Sequence, residues 1–259
     1  MTSPPRVRAS TAGPVRRITL ARPEKRNALD EQAARELAEA LDAAEADADT
    51  RVVVLDAEGR DFCAGADLAA LEGMIDAGAD AHRRDAEALG RVFRTIRAMA
   101  KPVVAAVRGR ALAGGAGLAT SCDIVLASDD ARFGYPEVRV GFVPAMVMTM
   151  LRRLAGEKRA FELVATGRTI GAREALEIGL VSRVLPAERF EAEVEEIVGA
   201  LAASPPGALR LTKRLFYELD EAGFDGGIEL GVRTNVEARA TDEFRDGVRR
   251  FVHRGTGKP

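Results

Sequence analysis

Apolar residues along the chain come in two rhythms. Short unbroken runs of small and β-branched residues, "VVVLDA" at 52–57, "KPVVAAVRG" at 101–109 and "DIVLAS" at 123–128, have the length and composition of strands covered on both faces. "VRRITLA" at 15–21 is a further strand candidate. Between these runs the period changes. Leu29, Ala33, Leu37 and Leu41 recur at helical spacing behind Asp30, which has the chemistry of a helix N-cap. A longer amphipathic pattern predicts a helix over roughly 80–100. From 186 onward the strand pattern stops, and helices punctuated by "SPPGA" (204–208) and "GFDGG" (223–227) are expected instead. The pattern therefore predicts an α/β protein with a flexible N-terminal segment at 1–14, a core at 15–195 and a helical part at 196–259.

Composition narrows the class. A chain of 259 residues, 47% hydrophobic and 30% charged, can build one sizeable core. Thirty-eight basic residues against 40 acidic ones, with no basic block and no tryptophan, argue against nucleic acid as a partner. "MTSPPRVRASTAGP" lacks the apolar stretch of a signal peptide, and no later segment reaches the roughly 20 apolar residues of a membrane span, so a cytoplasmic protein without a membrane partner is expected. Cys63 and Cys122 have no metal-ligand spacing and are expected to be buried thiols; no metal site is implied.

Candidate chemistry lies in two loops, each following a buried strand and opening a helix: "DFCAGADL" (61–68) and "ALAGGAGLATSCD" (111–123). Glycine inside a helix costs about 1 kcal/mol relative to alanine, so Gly114, Gly115 and Gly117 together must answer a close approach by backbone or ligand. Unpaired N–H groups and the positive end of the helix dipole meet at such a helix start. One N–H from each loop, brought together, would form an oxyanion hole for charge developing on a carbonyl. A phosphate cradle is the weaker reading, since "GGAGLA" lacks both the Lys-Ser/Thr of a P-loop and the glycine spacing of a dinucleotide site. Tight helix–strand packing alone would also explain the glycines.

"RPEKRNALD", "DFCAGADL", "PVVAAVRGRALAGGAGLATSCDIVLAS", "ARFGYPEVRVGFVP", "TGRTIGAREALEIGLVSRVLP" and "TDEFRDGVRRFV", in this order, resemble the enoyl-CoA hydratase/isomerase (crotonase) superfamily across about residues 15–255. The resemblance implies a ClpP/crotonase-like spiral of strand-strand-helix units. Its helical C-terminal part would build homotrimers, commonly paired into hexamers. The implied substrate is an acyl-CoA thioester, with coenzyme A as part of the substrate and no separate cofactor. By matching motifs, the amides of Ala66 and Gly114 would bind the thioester carbonyl and Glu137 would be the acid/base. The coenzyme would run past Lys25, Arg26 and Ala28, then Ala64, Asp67 and Leu68, with Phe251 and Arg254 reaching it from a neighbouring subunit. Gly115, Gly117, Pro136, Pro144 and Ala145 would border the acyl group.

The chain departs from the two-glutamate hydratases of the family at one place: Gly117 stands where they carry a glutamate in the Gly-rich helix. It is in this respect similar to single-glutamate members such as methylglutaconyl-CoA-type hydratases. Three readings follow: hydration of a 2-enoyl-CoA by Glu137 alone, Δ3,Δ2-enoyl-CoA isomerisation with Glu137 as sole base, and a non-catalytic acyl-CoA-binding or scaffold role. Gly117 also implies extra room for a branched acyl group. Arg110, Arg132 or Arg139 could pair with a second carboxylate on that group, and "AMVMTM" at 145–150 could give it a flexible apolar wall. Alternatively Arg132 or Arg139 pairs with Glu137 itself, which the scaffold reading would favour.

Overall fold

The computed structural model describes residues 4–254, of Arg254 only the backbone, and there the buried runs become adjacent strands. The strands are β1 (Val7–Ala12), β2 (Val15–Leu20), β3 (Val52–Ala57), β4 (Val103–Val107), β5 (Arg110–Leu112), β6 (Ile124–Ser128), β7 (Arg132–Gly134), β8 (Thr169–Gly171) and β9 (Arg183–Leu185). The helices are α1 (Glu31–Ala46), α2 (Leu68–Glu72), α3 (Ala79–Ala98), α4 (Gly114–Ser121), α5 (Met148–Thr166), α6 (Ala172–Glu177), α7 (Phe190–Ala203), α8 (Pro206–Glu218), α9 (Phe224–Arg239) and α10 (Asp242–Arg254). The larger sheet runs β1-β2-β3-β4-β6-β9 and is parallel except for the β1–β2 hairpin. A smaller sheet, β5-β7-β8, branches off beside it.

Strand alternation sorts the core into two layers. Val53, Leu55, Val103, Ala105 and Val107 point into the main core with α1, α3 and α4, while Val52, Val54, Val104, Ala106 and Leu126 pack against Phe190, Val194, Val198 and Ala202 of α7. Both faces of β3 and β4 are thus covered, as their unbroken apolar composition requires. The Asp30 carboxylate accepts the Ala33 N–H at 2.8 Å, which starts α1 and turns Leu37 and Leu41 inward.

Two sequence boundaries are corrected. Residues 7–12, expected to lie in a flexible segment, form β1, paired along its full length with β2. The boundary at 195 falls inside α7, whose Val194 and Val198 seal the second core layer; the chain leaves the core only at Ser204-Pro205.

A buried cation fastens the first helix after that break. Lys213 of α8, 7% exposed, donates to the carbonyls of Ile96 (2.7 Å) and Lys101 (2.9 Å) and lies 2.8 Å from the Asp123 carboxylate. Asp123 also accepts from Tyr217 O–H and Val103 N–H. Removing one member of a buried pair typically costs about 3–5 kcal/mol, because the other charge stays buried alone. Lys213→Met is expected to lose about 3 kcal/mol in urea unfolding, towards the lower end because Asp123 keeps two neutral donors.

Candidate active site

The first Gly/Ala loop is held from both sides. Ala64 N–H donates to Arg26 C=O, Leu29 N–H to Gly65 C=O and Asp67 N–H to Leu29 C=O. On the other edge Cys63 N–H donates to Arg110 C=O and Leu112 N–H to Cys63 C=O. Leu29 and Ala66 form a parallel bridge closed by the neighbours of Ala66, so its own N–H points away from the pairing. The second loop arrives on that side. A Cβ on Gly65 would stand 2.8 Å from Ala113 Cβ and 3.6 Å from Gly114 N, so the two loops touch beside Ala66 and Gly114.

Ala113 caps α4 with φ 51° and ψ −125°, a backbone region that L residues rarely adopt. Its N–H donates to Gly134 C=O and its C=O accepts from Gly117 N–H, which fixes the entry to the helix. Among the loop and cap hydrogen bonds of the described residues, neither Ala66 N–H nor Gly114 N–H has an acceptor.

Strand pairing sets the segment of Glu137 beside the segment of Gly114. Leu112 lies beside Gly134 in the β5–β7 register. Two residues beyond the first is Gly114, and three beyond the second is Glu137, on a 3-10 turn at Pro136–Val140 closed by Gly141 at φ 73°. Glu137 is half-buried, has no ion-pair partner among the described residues, and keeps Oε2 buried without a hydrogen bond. Burial raises its pKa above the ordinary glutamate value, against a smaller opposing effect of its own backbone N–H. Arg132 donates instead to the carbonyls of Asp130 and Ala131, and Arg139 is exposed; the expected alternative of a Glu137 ion pair with either is not what forms. The adjacent Tyr135 phenol is wholly buried, and burial together with the Glu137 charge pushes its pKa up.

Other site residues fall differently from expectation. Lys25 and Arg26 are exposed on the turn before Asn27, Ala28 is buried, Ala64 is partly exposed and Leu68 is 68% exposed. The Asp67 carboxylate caps α2 through Ala69 N–H and pairs with Arg22 at 2.6 Å, while its backbone N–H and C=O are bonded to Leu29 and Leu71, so Asp67 shapes the loop rather than meeting a ligand. Arg110 is held in a two-pronged pair by Asp61, 2.8 Å on each prong, and is spent on the loop rather than on a substrate carboxylate. Gly115 and Gly117, expected to border the acyl group, are packing positions. A Cβ on Gly115 would lie 2.7 Å from Cys63 Cβ and 2.8 Å from its Sγ, and one on Gly117 would collide with Val147. The expected extra room at Gly117 is therefore filled. Pro136 is half-buried, Pro144 buried and Ala145 exposed on the segment entering α5; Met150 belongs to the core, while Met148 is exposed. Phe251, 83% exposed, sits on α10 against α8 and α9, and the Arg254 side chain lies outside the described residues. Both cysteines are buried and unbonded to each other, and burial pushes the Cys63 thiol up to about 12.

The sequence reading missed Asn27. It is 2% exposed at φ 54°, accepts from Arg22 N–H, and donates to the carbonyls of Glu58 and Asp61, pinning the base of the first loop. Asparagine tolerates the left-handed region better than most residues, which was its only local signal. No group of His, Cys, Asp and Glu among the described residues could hold a metal ion, and no described helix is long and apolar enough to cross a membrane.

Two touching loops with an unbonded amide on each, and a desolvated carboxylate on the segment that follows the paired strand, are the kinds of group needed to move a proton next to a carbonyl. Comparison with known proteins points the same way. The sequence profile of the family described as enoyl-CoA hydratase/isomerase matches residues 10–258. A Thermus thermophilus protein provisionally named an enoyl-CoA hydratase is 43% identical over 242 residues, spanning 93% of this chain and 96% of its own. The crotonyl-CoA hydratase of Syntrophomonas wolfei is 35% identical, over 90% of this chain and 89% of its own. The crystal structure of a Mycobacterium smegmatis enoyl-CoA hydratase superimposes with a TM-score of 0.93 at 31% identity, covering 97% of each chain.

Proposed function

Because the chain belongs to the enoyl-CoA hydratase/isomerase family, we propose that it adds water reversibly across the double bond of a 2-enoyl-CoA. This reading is supported by the contact between the loops that carry the unbonded amides of Ala66 and Gly114, and by the half-buried, unpaired Glu137 on the segment that follows the strand paired with β5. The thioester oxygen would accept both N–H groups. Water attacks C3 as Glu137 takes its proton; the electron pair of the double bond moves into a thioester enolate whose oxygen the two amides stabilise. Glu137 then returns the proton to C2, so that one water has been added and the carboxylate is regenerated. Net addition of water requires no redox partner, and coenzyme A enters only as part of the substrate.

Lys25 and Arg26, exposed beside the first loop, are proposed to meet coenzyme A phosphates, and the exposed Leu68 to border the coenzyme. Two supports for a branched or carboxylated acyl group fall away, since Val147 fills the space beside Gly117 and Asp61 holds Arg110; Arg139 stays exposed and the likeness to single-glutamate members is untouched, so an unbranched enoyl-CoA is the first probe and a carboxylated one the second. Crotonyl-CoA is therefore the probe of choice. In water labelled with heavy oxygen, the protein is expected to give a labelled 3-hydroxyacyl-CoA, seen by mass spectrometry. Unlabelled migration of the double bond in 3-enoyl-CoA, without label uptake from crotonyl-CoA, would replace hydration by isomerisation; failure to process either would leave a binding protein.

We also assign the C-terminal helices to contacts between copies of the chain. Phe224, Ile228, Val232 and Val236 form an exposed stripe at four-residue spacing along α9, which has no buried residue of its own. A homotrimer or hexamer is expected by light scattering, and Ile228→Glu with Val232→Glu should shift the mass towards the monomer. The two buried, unpaired thiols suit a reducing, cytoplasmic setting.

A further inference from the structure

We infer that Val147 is the residue that restricts this site to a single acid/base group, a role that rests on the hydratase reading above. In the two-glutamate hydratases that the sequence resembles, the second carboxylate would project from the position of Gly117. Here α5 delivers a side chain into that position from the other side. A Cβ on Gly117 would fall within overlap of Val147 Cγ1 and would stand 3.1 Å from Val147 Cβ and 3.2 Å from Phe93 Cζ. Val147 is 4% exposed and takes helical backbone angles at the start of α5 (φ −67°, ψ −26°). Its branched side chain has one strongly preferred rotamer there, so it cannot swing aside as a lysine or methionine could.

The location makes this plug functional. α5 packs against α4, which carries Gly117, and against the turn at Pro136–Val140, which carries Glu137. An isopropyl group therefore fills the space that a side chain at position 117 would need, between the elements that carry Gly117 and Glu137. The environment of Glu137 agrees: burial alone raises its pKa, and no neighbouring carboxylate adds to the shift. Gly117 and Val147 form a complementary pair, one small because the other is large. Changing the first without the second overpacks the core, whereas exchanging sizes should open the site to a second acid.

The test compares Gly117→Glu, Val147→Gly and the combined Gly117→Glu/Val147→Gly protein. Tm and the pH profile of kcat/KM for crotonyl-CoA are measured, together with deuterium exchange at C2 of butyryl-CoA. Gly117→Glu alone is expected to lose about 5–10 °C in Tm through overpacking, and the added Val147→Gly to restore most of it. The restored protein should show two ionisations on its acid limb in place of one, because two nearby carboxylates titrate as a coupled pair. A Gly117→Glu protein as stable as the wild type would overturn the assignment. So would a restored fold with an unchanged acid limb, since that outcome makes Val147 a packing residue only. If the combined protein does not fold, Gly117→Asp and Gly117→Asp/Val147→Ala decide: recovery of Tm together with a second ionisation on the acid limb for exchange supports the role, and absence of either overturns it. Exchange at C2 needs no hydration, so a wild type that exchanges but does not hydrate refutes the hydratase reading while Val147 is still judged on the paired variants.

Discussion

Glu137→Gln is expected to lower kcat for hydration of crotonyl-CoA by about 10³-fold while leaving the Kd for the acyl-CoA nearly unchanged. Glutamine keeps the size and polarity of the side chain but cannot accept and return a proton. The same substitution should leave Tm at neutral pH equal or higher. The folded pKa of Glu137 is raised by burial, so the fold favours its neutral form and loses stability as pH rises through the unfolded and then the folded pKa. A neutral amide escapes that loss. In the wild type, kcat/KM should fall as pH drops through the raised pKa, with a midpoint above that of an ordinary glutamate. Simultaneous measurement of rate and Tm separates this account from a structural one: a merely structural Glu137 would lower both together.

The second large effect concerns the amide of Gly114. Gly114→Pro replaces that N–H by a ring carbon at the first helical position; proline's fixed φ suits that position, but the ring also disfavours the backbone angles of Ala113 before it. Loss of one oxyanion donor typically costs about 10²–10³ in kcat. We expect a fall of at least that order, accompanied by a lower Tm because the ring conflicts with the backbone of Ala113. A full-rate Gly114→Pro protein would show that this amide does not touch the reacting carbonyl.

These groups differ in how far the linear sequence announces them. The strands around the site were visible because "VVVL" and "VVAAV" are buried on both faces and so carry no polar interruptions. The loops after them stood out because small residues there make sense only if something approaches the backbone. β5, β7 and β8 left no such trace, since three residues hold too little periodicity to separate a strand from a turn. β1 was hidden for another reason: "VRASTA" is an edge strand whose side chains stay mostly exposed, so its polarity imitates a flexible terminus. In α7 the glutamates between Val194 and Val198 masked a face that packs on the sheet. Gly117 was identified as an informative departure, yet its meaning depended on Val147, thirty positions away, and a gap in one element says nothing about which other element fills it.

Ala113 carries an implication for attempts to make the protein more heat-resistant. Glycine adopts its backbone angles without the steric penalty that alanine bears, and such penalties are of the order of 1–3 kcal/mol. An unbiased selection for thermal tolerance would therefore tend to recover Ala113→Gly. That gain comes with a looser peptide unit immediately before the Gly114 donor, so the variants that survive heating best should include ones that turn over more slowly, and the two traits would have to be screened together.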